Sequence, residues 1–124
     1  MAMIEGLFGS CSTGSVMTVD CSEFEKLMSR SDAGSVLLDV RSAEEFAQGH
    51  LTGAVNVDVQ KEGFDEAAVA LLRQCGAKEA LVYCRSGRRS LDAAARLSKA
   101  GFKVVNLDEG IIGWQKRGGT VVGD

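Results

Sequence analysis

Leu81-Val82-Tyr83-Cys84-Arg85-Ser86-Gly87-Arg88-Arg89-Ser90 is the stretch from which the fold is read. A short apolar run ending in a thiol passes directly into a tight basic loop. From there Leu91, Ala94, Ala95 and Ser98 follow helical spacing on one face, and Gly101 stands where a left-handed C′ residue belongs. The order is strand, loop, helix. A thiol at the start of such a loop faces arginines, backbone N–H groups and the positive end of a helix dipole, all of which favour the ionised sulfur. Cations at a helix N-terminus cost about 0.3–1 kcal/mol each, so Arg85, Arg88 and Arg89 clustered there point to function rather than to stability.

The flanking sequence repeats the alternation. Val36-Leu37-Leu38-Asp39-Val40, Ala54-Val55-Asn56-Val57 and Lys103-Val104-Val105-Asn106-Leu107 read as strands buried on both faces. Between them, Ser22-Glu23-Phe24-Glu25 and Ser42-Ala43-Glu44-Glu45 read as capping boxes. The first opens a helix with Phe24, Leu27 and Met28 inward; the second opens a short helix ending near Gly49. Phe64, Ala68, Leu71, Leu72 and Cys75 mark a longer helix, and Ile111, Ile112 and Trp114 a short one ending near Gly118-Gly119. Short apolar strands alternating with amphipathic helices predict an α/β fold with a parallel sheet covered on both faces. In such sheets ligands bind at the carboxyl ends of the strands, which is where Cys84 falls. Residues 1–17, rich in Gly and Ser, read as a flexible N-terminal tail, and residues 18–124 as a single domain.

Composition narrows the function. The chain has 124 residues, 45% hydrophobic and 25% charged, with a formal net charge of −3. That is one soluble domain with a sizeable core, and no basic face beyond the loop to suggest nucleic acid. No apolar run is long enough for a membrane span, and Met1 to Phe8 contains Glu5 and lacks a secretory pattern, so the expectation is the cytoplasm. The four cysteines form no CxxC pair and His50 is the single histidine, which argues against a metal site. Cys11 reads as a tail residue and Cys75 as a buried thiol at a helix end.

The chemistry of the loop follows from its parts. Successive N–H groups of a tight turn, continued by those of a helix start, make a concave anion site with the Cys84 sulfur exposed at its centre. Gly87 supplies a φ that lets the turn close, and Ser90, at or near the N-cap, can bond a backbone N–H or the thiolate. The arginines can fork onto a sulfonate, sulfate, phosphate or arsenate. The expected substrate is a small, strongly anionic molecule that reacts at sulfur.

Five motifs in order, Leu38-Asp39-Val40-Arg41, Glu45-Phe46, Gly49-His50-Leu51-Thr52-Gly53-Ala54-Val55-Asn56, Tyr83 to Ser90, and Asn106-Leu107-Asp108-Glu109-Gly110-Ile111 leading to Trp114, make the chain resemble a single-domain rhodanese (thiosulfate sulfurtransferase) over about residues 19–122. The resemblance implies a five-stranded parallel sheet flanked by helices on both faces. It implies that Cys84 is the nucleophile and carries a persulfide, cradled by the loop of Arg85, Ser86, Gly87, Arg88, Arg89 and Ser90. The donor would be thiosulfate or a persulfide, and the acceptor cyanide or a thiol such as that of thioredoxin. No metal or organic cofactor is implied, and no nucleic acid or membrane.

Two other readings stay open. Cysteine-dependent phosphatases and some arsenate reductases place an arginine after five intervening residues, but that position here is Ser90, and Arg89 comes one residue early. A non-enzymatic binding or regulatory module is the third reading, although such modules often lack the cysteine. The chain departs from the family pattern at Thr52, where Pro is usual, and at Glu109, where Gly is usual; Glu109 is expected near the pocket mouth. Asp39, Arg41, Glu45 and His50 read as structural support: Asp39 satisfying backbone groups at a strand end, Arg41 paired with Glu45, and His50 packed or hydrogen-bonded.

Overall fold

Strand β4 (Glu79–Tyr83) is apolar on both sides because both of its sides are covered. Ala80, Val82 and the following Cys84 point into one core; Leu81 and Tyr83 point into a second. That period of two generates the whole layered architecture. In the computed structural model, residues 14–30 and 34–123 are described. The sheet has five strands, all parallel, in the order β1-β5-β4-β2-β3: β1 (Ser15–Val19), β2 (Ser35–Asp39), β3 (Val55–Asn56), β4 and β5 (Lys103–Leu107). The most buried strands, β4 and β5, lie side by side within it.

Helices α3 (Phe64–Gln74) and α4 (Arg88–Lys99) close one face, where Phe64, Ala68, Leu72, Ala93, Ala94 and Leu97 meet Leu38, Val82 and Val104. Helices α1 (Cys21–Met28) and α5 (Gly110–Lys116) cover the other, where Phe24, Ile111 and Trp114 pack on Leu81, Tyr83, Val105 and Leu107. The short α2 (Ala43–Gln48) begins at Ser42 through a complete capping box with Glu45 and ends at Gly49, as read. None of the described helices is long and apolar enough to cross a membrane.

Several expectations shift. Residues 15–17, assigned to the tail, belong to β1, which pairs with β5 along its length; residues 1–13, including Cys11, lie outside the described residues. As an edge strand, β1 leaves Val16 and Met17 exposed, so it lacks the apolar run that marks a buried strand. The segment around Val55 is likewise an edge, two residues long and half exposed, rather than a doubly buried strand. Helix α1 starts at Asp20, whose carboxylate accepts the Glu23 N–H at 2.9 Å, so Asp20 and not Ser22 is the cap. The inward face of α4 is Ser90, Ala93, Ala94 and Leu97, one residue earlier than read, and Leu91 and Ala95 face solvent. Cys75 is an exposed C-cap, because the buried stripe of α3 ends at Leu72.

Candidate active site

Cys84 directly follows β4 and is fully buried, so its sulfur is the floor of the loop rather than an exposed centre. The chain folds over it because Gly87 adopts φ +101°, which turns the Gly87 N–H back onto Sγ at 3.1 Å. A side chain at 87 is excluded twice over: the φ is left-handed, and a Cβ would stand 2.2 Å from the Asp108 carbonyl oxygen. Helix α4 then begins at Arg88 with Gly87 as its cap, which places Ser90 in the first turn instead of at the cap.

The Ser90 hydroxyl is fully buried and makes no hydrogen bond among the described residues. It bears instead on the thiol. Burial pushes the Cys84 thiol up, but the neighbouring Ser90 hydroxyl and the N–H groups of Ser90, Gly87 and Ser86 favour the charged sulfur and outweigh that, so the net shift is downward. A buried sulfur ringed by donors and set at a helix start is stabilised as the thiolate, the nucleophilic form.

A second loop clamps the first. The Ile111 N–H donates to the Cys84 carbonyl at 2.9 Å and the Ile112 N–H to the Arg85 carbonyl at 3.2 Å. Gly110 permits the approach: a Cβ there would lie 2.4 Å from the Arg85 oxygen. The start of α5 is thus part of the site, which reading residues one motif at a time missed. The available signal was a glycine at a helix start, separated by two residues from a buried strand.

The three arginines have different fates. Arg89 is held by Glu45 in a two-point pair, at 2.8 and 3.0 Å. Arg85 and Arg88 are exposed and form no ion pair among the described residues. Two clefts flank the loop. The larger, about 810 Å³, is lined by Arg88 and Arg89 together with Lys61 and Phe64; the smaller, about 320 Å³, by Arg85, Glu45, Ile111 and Ile112.

The supporting residues come together at the neighbouring strand end, with one exchange of partners. Arg41 pairs with Asp39, Nη2 to Oδ2 at 2.6 Å, and not with Glu45, because the turn after β2 aims its guanidinium back at the strand. Arg41 also donates to the Gly49 carbonyl at 2.7 Å, so both buried charges are partnered. Glu45 is thereby free to hold Arg89. The His50 ring stacks on Phe46 with centroids 3.7 Å apart and sets Nδ1 2.8 Å from the Phe46 carbonyl oxygen. Glu109 is not at the mouth of either cleft; its carboxylate accepts the Cys21 thiol at 3.8 Å, toward α1. Thr52 lines a separate hollow with Met28, Leu37 and Leu81, away from Cys84.

The chain is similar to known proteins. Residues 20–117 match the family model of the rhodanese-like domain. Thiosulfate sulfurtransferase 18 of Arabidopsis thaliana is 34% identical over 124 residues, covering 90% of this chain and 88% of that protein. An HTH-type transcriptional regulator of Mycobacterium tuberculosis is 34% identical over 96 residues; the match covers 75% of this chain and only 40% of the regulator, so the chain spans less than half of that relative. The crystal structure of a rhodanese-related protein from Thermoplasma volcanium superposes with a TM-score of 0.72 at 25% identity, over 87% of this chain and 99% of that one. With the parallel sheet and the loop that closes over Cys84, these matches show that the chain belongs to the rhodanese-like domain family.

Proposed function

We propose that the protein is a sulfurtransferase that relays a sulfane sulfur from an anionic donor such as thiosulfate to a thiophilic acceptor through a persulfide on Cys84. The observation that carries this reading is the buried Cys84 sulfur at the start of the loop, which accepts the Gly87 N–H at 3.1 Å and is favoured as the thiolate by the polar groups around it. The thiolate attacks the outer sulfur of thiosulfate; the new S–S bond forms on Cys84 as the donor's S–S bond breaks, and sulfite leaves with the electron pair. The terminal persulfide sulfur is anionic and takes the place of the thiolate as acceptor for the loop N–H groups. Cyanide or a thiolate then attacks that outer sulfur, and Cys84 departs as thiolate. Each half is a simple displacement, so no cofactor is needed to split the transfer in two.

The side chains available to receive the donor's sulfonate are Arg85 and Arg88, since Arg89 is engaged by Glu45. The loop count argues against phosphoryl chemistry: a single arginine-bearing position, Arg89, lies near the place such an enzyme needs, and it is one residue early and already paired. Intact-protein mass after incubation with thiosulfate tests the proposal. A gain of one sulfur atom that cyanide removes, absent from Cys84→Ser, is the expected result. If neither thiosulfate nor an organic persulfide loads the protein, the binding-module reading takes over.

A further inference from the structure

We propose that Glu45 sets the donor preference of the Cys84 loop: by cancelling the charge of Arg89 it favours a sulfur donor carrying one negative charge over a dianion such as thiosulfate. The inference rests on the sulfurtransferase reading and concerns the same site. Its basis is geometric. Both nitrogens of the Arg89 fork meet both oxygens of Glu45, at 2.8 and 3.0 Å, while Glu45 is fixed from behind by the Ser42 N–H and hydroxyl at 3.2 and 3.1 Å. A carboxylate clamped from two sides does not swing aside to release the guanidinium. The hydrogen bond from Arg89 lowers the Glu45 carboxyl to about 2, so the pair persists throughout the neutral range. Arg89 in turn feels the Cys84 sulfur, which places the pair within electrostatic reach of the reacting atom.

Local charge then selects the ligand. Arg85, Arg88 and Arg89 are offset by Glu45 and by the Cys84 thiolate, leaving one net positive charge, which a monoanion neutralises and a dianion overshoots. The larger cleft adds no attraction for a dianion: its lining carries four basic and four acidic side chains, and Arg96 is taken up by Asp65 and Asp92 at 3.4 and 3.5 Å. Arg89 lines this cleft and Glu45 lines the smaller one, so the pair bridges the two clefts that flank the loop. Glu45 touches no donor atom in this account; it is a positioning residue that acts through Arg89.

The test compares two small sulfane donors that differ in charge, thiosulfate and methanethiosulfonate, with cyanide as acceptor. Glu45→Gln keeps a residue able to complete the capping box and removes the charge. It is expected to raise the ratio of kcat/KM for thiosulfate over methanethiosulfonate by about fivefold at low salt, with the gain shrinking as salt rises. Glu44→Gln removes an equal charge from the exposed neighbouring position and is expected to leave the ratio in place. Arg89→Gln should lower the ratio, and Glu45→Gln/Arg89→Gln should return it to the wild-type value. A double variant far below wild type would mean that Arg89 is itself the donor clamp and would overturn the proposal. So would an unchanged ratio in Glu45→Gln, or an equal rise in Glu44→Gln. Because the double variant lacks the uncompensated charge, it still tests whether Arg89 is the donor clamp if a single variant fails to fold. Alkylation of Cys84 by iodoacetate relative to iodoacetamide, read on the Cys84 peptide, follows the same charge logic without any sulfur transfer. If the wild type transfers no sulfur but this ratio rises in Glu45→Gln, the sulfurtransferase reading has failed and the role of Glu45 stands.

Discussion

The turns that follow β2 and β4 sit side by side at one end of the sheet, where Asp39 pairs in register with Tyr83, yet they use arginine in opposite ways. After β2, Arg41 is 5% exposed and turns inward. Its backbone N–H and guanidinium both serve the Asp39 carboxylate, and Asn56 Nδ2 bonds the carbonyls of Asp39 and Arg41 at 3.0 and 2.8 Å. The charged groups there find partners in the turn or in the segments packed on it, Gly49 and Asn56. After β4, the N–H groups of the turn converge on a sulfur, and Arg85 and Arg88 point outward without partners among the described residues. A turn that satisfies itself is scaffolding. One that leaves donors and charges unspent is built for something that is not part of the chain.

The comparison breaks most visibly at Asp39. If the β2 turn is scaffold, Asp39→Asn strands the buried Arg41 charge and costs about 3–5 kcal/mol, measurable by urea unfolding. Asp39→Asn/Arg41→Leu, which removes both charges, should recover part of that loss. In the folded fraction, the rate of Cys84 alkylation should stay close to that of the wild type. A large change in that rate would mean that the β2 turn tunes the thiol, and the division of labour would be wrong. Gly87→Ala comes next and strikes both properties at once. The left-handed φ and the approach to the Asp108 carbonyl together cost about 2–4 kcal/mol. Relief of that strain pulls the Gly87 N–H off Sγ, so the alkylation pH profile should move to higher pH as a donor to the thiolate is lost.

Much of this was legible in the sequence, and the failures have two causes. Leu81 to Ser90 announced strand, loop and helix because each local signal agreed: an apolar run, a glycine, then helical periodicity. Strand β1 was not legible because an edge strand buries little and Ser15-Val16-Met17-Thr18 shows no apolar run. Asp20 was hidden by a competing Ser22/Glu25 pattern, and only the course of the chain leaving β1 decides between two adjacent caps. The exchange of partners among Asp39, Arg41, Glu45 and Arg89 was invisible for a different reason. Glu45 and Arg89 are 44 positions apart, and no spacing rule reports a contact made by packing two strand ends together. Gly110 shows the same limit, since its need for a bare Cα arises from the carbonyls of Cys84 and Arg85 in another loop.

The smallest effect sharpens the contrast most, because the comparison fixes its sign on two axes. Arg85 and Arg88 are unspent charges, so they should contribute to donor capture and nothing to the fold. Arg85→Gln/Arg88→Gln is expected to raise KM for thiosulfate up to about tenfold, with kcat nearly unchanged, because the groups that hold the sulfur in the transition state are N–H groups and a hydroxyl. Stability should move the other way. Arg88 is the first residue of α4, where a cation opposes the helix dipole, and its removal should stabilise the protein by about 0.3–1 kcal/mol. A scaffold arginine such as Arg41 cannot behave so: its loss must weaken the fold. If the double variant is less stable than wild type, the β4 turn relies on its arginines as the β2 turn does. If it is more stable and captures thiosulfate less well, then the unfavourable placement of charge at that helix start is explained by the anion that the site receives.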